Sequence, residues 1–149
     1  MIIQKASIND NEILTEITKK SKAYWGYSEE QILKWNNNLT VSVVYIETNC
    51  VFTLVNDNKI IGYYSYIINE EKNVILDNLF ILPEYIGKGF GKYLMTDFLD
   101  RMKKEKFEKI TLDSEPNAEN FYLKFGFKKI GEFETSIKNR FMPIMEMSL

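Results

Sequence analysis

The sequence predicts an α/β (α+β) fold: one domain over residues 1–149, with a mixed, mostly antiparallel central sheet of about six or seven strands flanked by about four helices. Three observations carry this expectation. Residues 51–82 hold three β-rich runs in succession, joined by tight-turn sequences. The last third of the chain alternates helical and strand patterns, and its longest helical segment has an apolar stripe able to lie on a sheet. With 149 residues, 45% of them hydrophobic and 14% aromatic, the chain is long enough to bury about two thirds of its unfolded surface around one core.

Taken in order, residues 1–6 read as a first strand, after which Asn9 or Asp10 caps a helix carrying Ile13, Leu14 and Ile17 at helical spacing. Ser28 opens a capping box, Ser28-Glu29-Glu30-Gln31, for a second helix with Ile32, Leu33 and Trp35. Between the two lies Tyr24-Trp25-Gly26-Tyr27, an aromatic cluster broken by a glycine. Residues 41–47 read equally as strand, from their β-branched content, or as one helical turn capped by Thr40. Residues 51–55, 60–68 and 74–82 are the three strands of the meander, separated by Asn56-Asp57-Asn58-Lys59 and Asn69-Glu70-Glu71-Lys72-Asn73. A helix over about 88–106 aligns Phe90, Leu94, Met95, Phe98, Leu99 and Met102 on one face. Residues 109–112 form a strand, and 117–125 a helix with Ala118, Phe121, Tyr122 and Phe125 on one side. Gly126 stops that helix in a left-handed conformation, with Phe127 folding back on it. Two strands close the chain, 127–133 and 141–147, and Pro143 predicts that the last is exposed at an edge there.

Composition then narrows the chemistry. A net charge of −2 disfavours a nucleic-acid binder that relies on bulk positive charge. There is no histidine, which excludes Ser-His-Asp and Cys-His nucleophilic machinery and nearly every catalytic zinc site, so no metal is expected. Acid and base must come from carboxylates, Tyr, Lys, Cys, the amino terminus or water. The one cysteine, Cys50, cannot form an internal disulfide, and the amino end lacks the order of a signal peptide. No apolar run reaches the roughly 20 residues that span a bilayer. The expectation is a soluble cytoplasmic protein in a reducing compartment, without membrane or nucleic-acid partners.

Three features stand out against this background. Gly87-Lys88-Gly89-Phe90-Gly91-Lys92 places three of the seven glycines directly after a strand and before an amphipathic helix. Glycine lets the backbone turn sharply and approach a ligand, while the helix start offers unpaired N–H groups, so the product is a phosphate cradle. Neither nucleotide fingerprint fits, because Gly-x-x-x-x-Gly-Lys-Ser/Thr is absent and the last position of Gly-x-Gly-x-x-Gly would be Lys92. The preceding strand is almost wholly apolar apart from Asp77 and Asn78, which predicts a central strand whose polar pair borders a cleft. Asp77 reads equally as a base raised by partial desolvation or as a carboxylate satisfied by local backbone donors. Tyr122 lies on an apolar stripe, and periodicity alone makes it a core residue.

Two segments, in order, resemble the GNAT acetyltransferases. Leu79-Phe80-Ile81-Leu82-Pro83-Glu84-Tyr85-Ile86-Gly87-Lys88-Gly89-Phe90-Gly91 is similar to that family's strand and acetyl-CoA loop, and Asn117-Ala118-Glu119-Asn120-Phe121-Tyr122-Leu123-Lys124-Phe125-Gly126-Phe127 to its Asn-Ala-x-x-Phe-Tyr-x-x-x-Gly-Phe segment. The resemblance implies a GNAT-like domain with acetyl-CoA as co-substrate. Main chain near Ile81 would pair with the pantetheine arm, amides from Gly87, Lys88, Gly89, Phe90, Gly91 and Lys92 would hold the pyrophosphate, and Asn117 would contact the cofactor. Tyr122 would protonate the departing thiolate, and Asp77 is the carboxylate on the central strand that could serve as base. Ile86 departs from the family loop, where Gln or Arg begins the pattern, which implies cofactor binding with different assistance. Residues 21–27 and 138–143 further resemble a poorly characterised bacterial subgroup, and the first helices border the acceptor site in the family, so Trp25 and Tyr27 are candidates to shape it. For Trp25, packing onto the sheet is the competing expectation.

The activity expected is transfer of acetyl from acetyl-CoA to a primary amine, on a small molecule or a peptide, by direct attack. Cys50 is remote from every motif in sequence and has no histidine to activate it, against a covalent acetyl-enzyme. The competing class is a non-catalytic acyl-CoA-binding or sensing module. The sequence does not name the acceptor, and it leaves the oligomeric state open, a homodimer included.

Overall fold

The computed structural model describes residues 1–149, and its elements begin where the sequence offers a cap or a turn. The first strand, β1, is Ile2–Lys5. Ser7 then accepts the Asn9 N–H at 3.3 Å while the Asp10 carboxylate accepts the Ser7 N–H at 2.8 Å. Helix α1, Asn11–Tyr24, is therefore entered through a 3-10 turn at Ile8–Asp10. The cap expected at Asn9 or Asp10 lies at Ser7, because Ser7 and Asp10 can satisfy each other's backbone reciprocally, whereas Asp10 makes no capping bond at the head of α1 itself. Ser28 caps α2, Glu29–Lys34, by accepting the Gln31 N–H at 3.1 Å, as its capping box predicts. Two short helices follow, α3 at Asn36–Leu39 and α4 at Val43–Thr48. The ambiguous stretch 41–47 is thus mainly helical. Its cap is Ser42, which accepts the Tyr45 N–H at 3.0 Å; the Thr40 hydroxyl bonds back to the Asn36 carbonyl instead.

The remaining strands are β2 Cys50–Asn56, β3 Lys59–Glu70, β4 Asn73–Ile81, β5 Lys109–Asp113, β6 Lys128–Glu134 and β7 Phe141–Ser148, and the remaining helices α5 Phe90–Lys104 and α6 Glu119–Lys124. Six helices stand where about four were expected, because 36–39 and 43–48 are helical as well. The seven strands lie in the order β1-β2-β3-β4-β5-β7-β6. Pairing is antiparallel for β1–β2, β2–β3, β5–β7 and β6–β7, and parallel for β4–β5, where Asn73, Val74 and Ile75 face Lys109, Ile110 and Thr111. The almost wholly apolar β4 is the middle strand, with Val74, Leu76 and Ile81 buried, Asp77 exposed and the others half-buried. Asp57 and Asn58, at φ 50° and 61°, make the two-residue β2–β3 turn, a conformation Asp and Asn adopt at low cost.

One edge expectation fails. Strand β7 pairs with β5 on one side and β6 on the other, so Pro143 is buried inside the sheet. The carbonyl of Pro143 accepts from the Ser114 N–H at 2.8 Å, just past the end of β5 at Asp113. A residue's N–H and C=O point to the same side of a strand, so the donor that proline lacks falls where β5 has already ended.

The chain divides into two compact units, 1–66 with 78–101 and 67–77 with 102–149. In the first, Leu14, Ile17, Leu54, Ile61, Leu94, Met95 and Phe98 are fully buried, each such side chain contributing about 1.5–3 kcal/mol of apolar burial. Tyr64 is buried beside them, and its polar tip is paired. Its hydroxyl donates to Asp97 Oδ2 at 2.8 Å and accepts from Arg101 Nε at 2.9 Å, with the guanidinium 3.8 Å above the Phe52 ring. Burial, with Asp97 adding to it, pushes the Tyr64 phenol well above its ordinary value. The second unit is built on Val74, Leu76, Met102, Ile110, Leu112, Phe127 and Met145, all buried. No helix of the chain is long and apolar enough to cross a membrane.

Candidate active site

The glycine turn has the geometry its sequence predicts. Gly87 and Gly89 stand at φ +81° and +88°, a region that side-chain-bearing residues rarely enter, and a Cβ built on either meets no protein atom within 4 Å. The helix expected from Lys88 begins at Phe90, because these two glycines keep the preceding residues in the turn. The first backbone bond at its start runs from the Tyr93 N–H to the Gly89 carbonyl at 3.1 Å. The N–H groups of Phe90, Gly91 and Lys92 therefore precede any intrahelical acceptor, at the positive end of a fifteen-residue helix. Tyr85 braces the turn, with its ring edge-on to Phe90 at 5.6 Å and Lys88 Nζ 5.9 Å from its centre. Open glycine backbone, free helix-start donors and two lysines fit the pyrophosphate of an acyl-coenzyme A.

Upstream, Ile81 ends β4 with its carbonyl accepting the Ser21 hydroxyl of α1, and the Leu82 N–H bonds to the Ile61 carbonyl at 2.8 Å. The strand end is thereby fixed from two sides. Gly62 on β3 permits this packing, since a Cβ there would stand 2.8 Å from the Phe80 carbonyl oxygen. Asn78 is half-buried, donating to Ser65 Oγ at 2.9 Å and Tyr45 OH at 3.3 Å, and these two oxygens are 2.8 Å apart. Nothing in the sequence linked Tyr45 and Ser65 to this strand. Trp25 stands just past the end of α1. It is 39% exposed and edge-on to Tyr24 at 5.0 Å, because α1 ends at Tyr24 and Gly26, at φ +90°, redirects the chain. Tyr27 packs against Trp35 at 4.9 Å.

In the second unit the desolvated carboxylate differs from the expected one. Asp77 and Asp113 are both exposed residues, and it is the carboxyl of Asp113, at the end of β5, that is held above the ordinary range, by partial desolvation first and by the Asp77 charge second. The parallel register explains the encounter: Ile75 faces Thr111, so the next positions on the same side of each strand are Asp77 and Asp113. Single-strand reading of β4 had no access to that neighbour.

Tyr122 is buried at 8% exposure, between Phe121 and Phe127 at 5.3 Å and 5.8 Å. Gly126 at φ +99° ends α6 as predicted, and the Phe127 N–H reaches back to the Tyr122 carbonyl at 3.3 Å. Burial pushes the Tyr122 phenol far up, and the Glu115 carboxylate adds to the push. Glu115 was not foreseen. It pairs with Arg140 Nη2 at 2.8 Å, the two side chains only 10% and 11% exposed, and its other oxygen accepts Asn117 Nδ2 at 2.8 Å. Asn117 itself lies in a 3-10 turn, Pro116–Ala118, and the helix starts two residues later than expected, at Glu119. One signal was available: only two of the nineteen Lys and Arg residues are arginine, Arg101 and Arg140, and both hold a carboxylate.

A seven-stranded mixed sheet, with a glycine turn that suits an anion between its middle strand and a long helix, defines the class as an α+β fold with an open strand-to-helix turn. The chain belongs to the GNAT acetyltransferase family: the family described as Acetyltransferase (GNAT) domain matches residues 9–149. It is 31% identical over 141 residues to the spermidine N(1)-acetyltransferase of Thermoplasma acidophilum, covering 85% of this chain and 87% of that one. The crystal structure of the PaiA N-acetyltransferase from Thermoplasma acidophilum in complex with coenzyme A superposes with a TM-score of 0.83 at 26% identity, over 99% of this chain and 98% of that one. An uncharacterized N-acetyltransferase ycf52 from Gracilaria tenuistipitata var. liui is 28% identical over 92 residues, 62% of this chain, and the match spans about half of that relative's length, 47%.

Proposed function

We propose that residues 1–149 act as one catalytic domain that transfers the acetyl group of acetyl-CoA to a primary amine by direct attack. The observation that carries this reading is the 87–92 turn, with two left-handed glycines opening onto a helix start. Family membership and the coenzyme A bound to the Thermoplasma relative support it. Amides of Gly87, Lys88, Gly89, Phe90, Gly91 and Lys92 hold the pyrophosphate, with Lys88 and Lys92 adding positive charge. The main chain beside Ile81 pairs with the pantetheine arm, and Asn117 hydrogen-bonds to it. Trp25 and Tyr27 shape the entry of the acceptor, a small-molecule or peptide amine. The spermidine acetyltransferase relative supports a small cationic amine, as do the paired carboxylates Asp77 and Asp113. A cytoplasmic location is part of the proposal.

The proton bookkeeping uses this chain's own groups. Asp77 accepts the proton that an ammonium must lose, directly or through water, leaving a nitrogen lone pair. The nitrogen bonds to the thioester carbonyl carbon and gives up its second proton to solvent, the carbon–sulfur bond then breaks, and the sulfur leaves with its electron pair. Tyr122 gives its phenolic proton to that sulfur and is reprotonated by solvent. Its raised pKa keeps the proton in place at every working pH, so donation follows the charge developing on sulfur.

Gly89→Val tests the cradle. A β-branched side chain at φ +88° both strains the turn and covers the amides, so calorimetry should show coenzyme A binding weakened about tenfold or more, with a thermal melt run alongside to show that the variant is folded. Unchanged affinity would remove the turn from the site. Release of free coenzyme A with a panel of amines then separates an enzyme from a binding module.

A further inference from the structure

The amide of Asn117 can face Glu115 in only one way. An ionised carboxylate accepts hydrogen bonds and donates none, so the end of Asn117 within 2.8 Å of Glu115 Oε1 must be the NH2 group. Turning the amide over would set two acceptor oxygens against each other. Glu115 is itself not free to yield, because Oε2 is held at 2.8 Å by Arg140 from the end of the 135–140 loop, and the pair is nearly buried. Main-chain bonds fix the same corner: the Ala118 N–H reaches the Glu115 carbonyl at 2.8 Å, and the Ser114 N–H reaches the Pro143 carbonyl at 2.8 Å.

We infer that Glu115, held by Arg140, is a positioning residue that locks Asn117 with its side-chain oxygen outward, so that the ligand group read by Asn117 is a hydrogen-bond donor, an amide N–H of the pantetheine arm. This rests on the reading that Asn117 borders the acyl-coenzyme A site. Asn117 is exposed, so the presented oxygen is accessible. The pantetheine arm carries two amide N–H groups, a hydroxyl and two amide carbonyls, and a locked oxygen pairs with the donors and not with the carbonyls. The assigned roles are thus specific: Arg140 fixes Glu115, Glu115 fixes Asn117, and Asn117 selects for a donor.

The test uses coenzyme A and two analogues, in each of which one pantetheine amide N–H is replaced by an ester oxygen. Calorimetry with the wild-type chain should show one analogue binding about tenfold more weakly than coenzyme A, as loss of one hydrogen bond implies. Asn117→Ala should bind all three alike. Arg140→Lys, which keeps the charge, should retain the discrimination. Glu115→Gln, which offers either a donor or an acceptor, should lose most of it and should raise KM for acetyl-CoA. A role limited to stability would lower melting temperature without touching the ratio between coenzyme A and its analogues. Equal binding of all three by the wild type, or discrimination surviving in Asn117→Ala, would overturn the inference alone. Failure of coenzyme A itself to bind the wild-type chain would overturn the reading beneath it.

Discussion

Each compact unit contains a buried tyrosine, a carboxylate and one of the two arginines, and the two sets are wired differently. In the first, Tyr64 donates its proton straight to Asp97 and accepts from Arg101, so the phenol is the centre of a closed network. In the second, the carboxylate is the centre: Glu115 spends its oxygens on Arg140 and Asn117 and acts on Tyr122 through space. The first arrangement consumes the hydroxyl for structure. The second leaves the phenol outside the hydrogen bonds of the carboxylate, while burial first and the Glu115 charge second push its pKa up, which suits the proton donor proposed for it.

The largest test of that contrast is a pair of identical substitutions. Tyr122→Phe retains the ring and removes the proton, so turnover should fall by about 100-fold with little change in stability. Normal turnover with the best amine found would return Tyr122 to the core. Asp77→Asn should lower kcat/KM by about tenfold and alter the acid limb of its pH profile, since the amine then relies on water for deprotonation. An unaltered profile would assign the base elsewhere. Tyr64→Phe should show the converse of Tyr122→Phe. Asp97 and Arg101 lose a shared partner, costing about 1 kcal/mol and lowering the melting temperature by about 2–4 °C, while coenzyme A affinity stays as it was. A turnover loss in Tyr64→Phe that matched the one in Tyr122→Phe would dissolve the comparison.

The smallest effect is one of pH. Asp113 has a raised carboxyl pKa in the folded chain, so its contribution to stability is complete below the ordinary carboxylate value and is lost as pH rises through the raised one. Asp113→Asn removes that loss. The variant should be slightly more stable than the wild type near neutral pH and less so in acid, with a flatter dependence just above pH 4, read from thermal melts across a pH series. Asp77→Asn should in turn bring the Asp113 titration down toward its usual position, followed by NMR.

Much of this molecule was legible from local patterns. The 87–92 turn, the Ser28 cap, the Gly126 stop and the central position of β4 each depend on a few adjacent residues or on a hydrophobic run, and each stands where the sequence put it. What stayed hidden depends on partners distant in sequence. Asp113 meets Asp77 through a parallel register that no hydrophobic pattern reports. Glu115 and Arg140 are 25 residues apart and joined by a loop closure. Pro143 misled because the rule that places proline at edges assumes a neighbouring strand long enough to need its missing donor, and β5 stops short.

Gly62 carries a consequence for anyone who diversifies this chain. The position lies on β3, away from the glycine turn in sequence, and would be randomised without concern in a library built outward from the 87–92 residues. A single methyl group there collides with the backbone of β4 one residue before Ile81, and backbone cannot swing aside as a side chain does. Alanine at 62 would therefore arrive as a displaced strand end and read out as poor cofactor use. Screens that score only activity would file Gly62 among the ligand contacts, whereas its close approach to β4 makes it the spacer that sets the strand's depth.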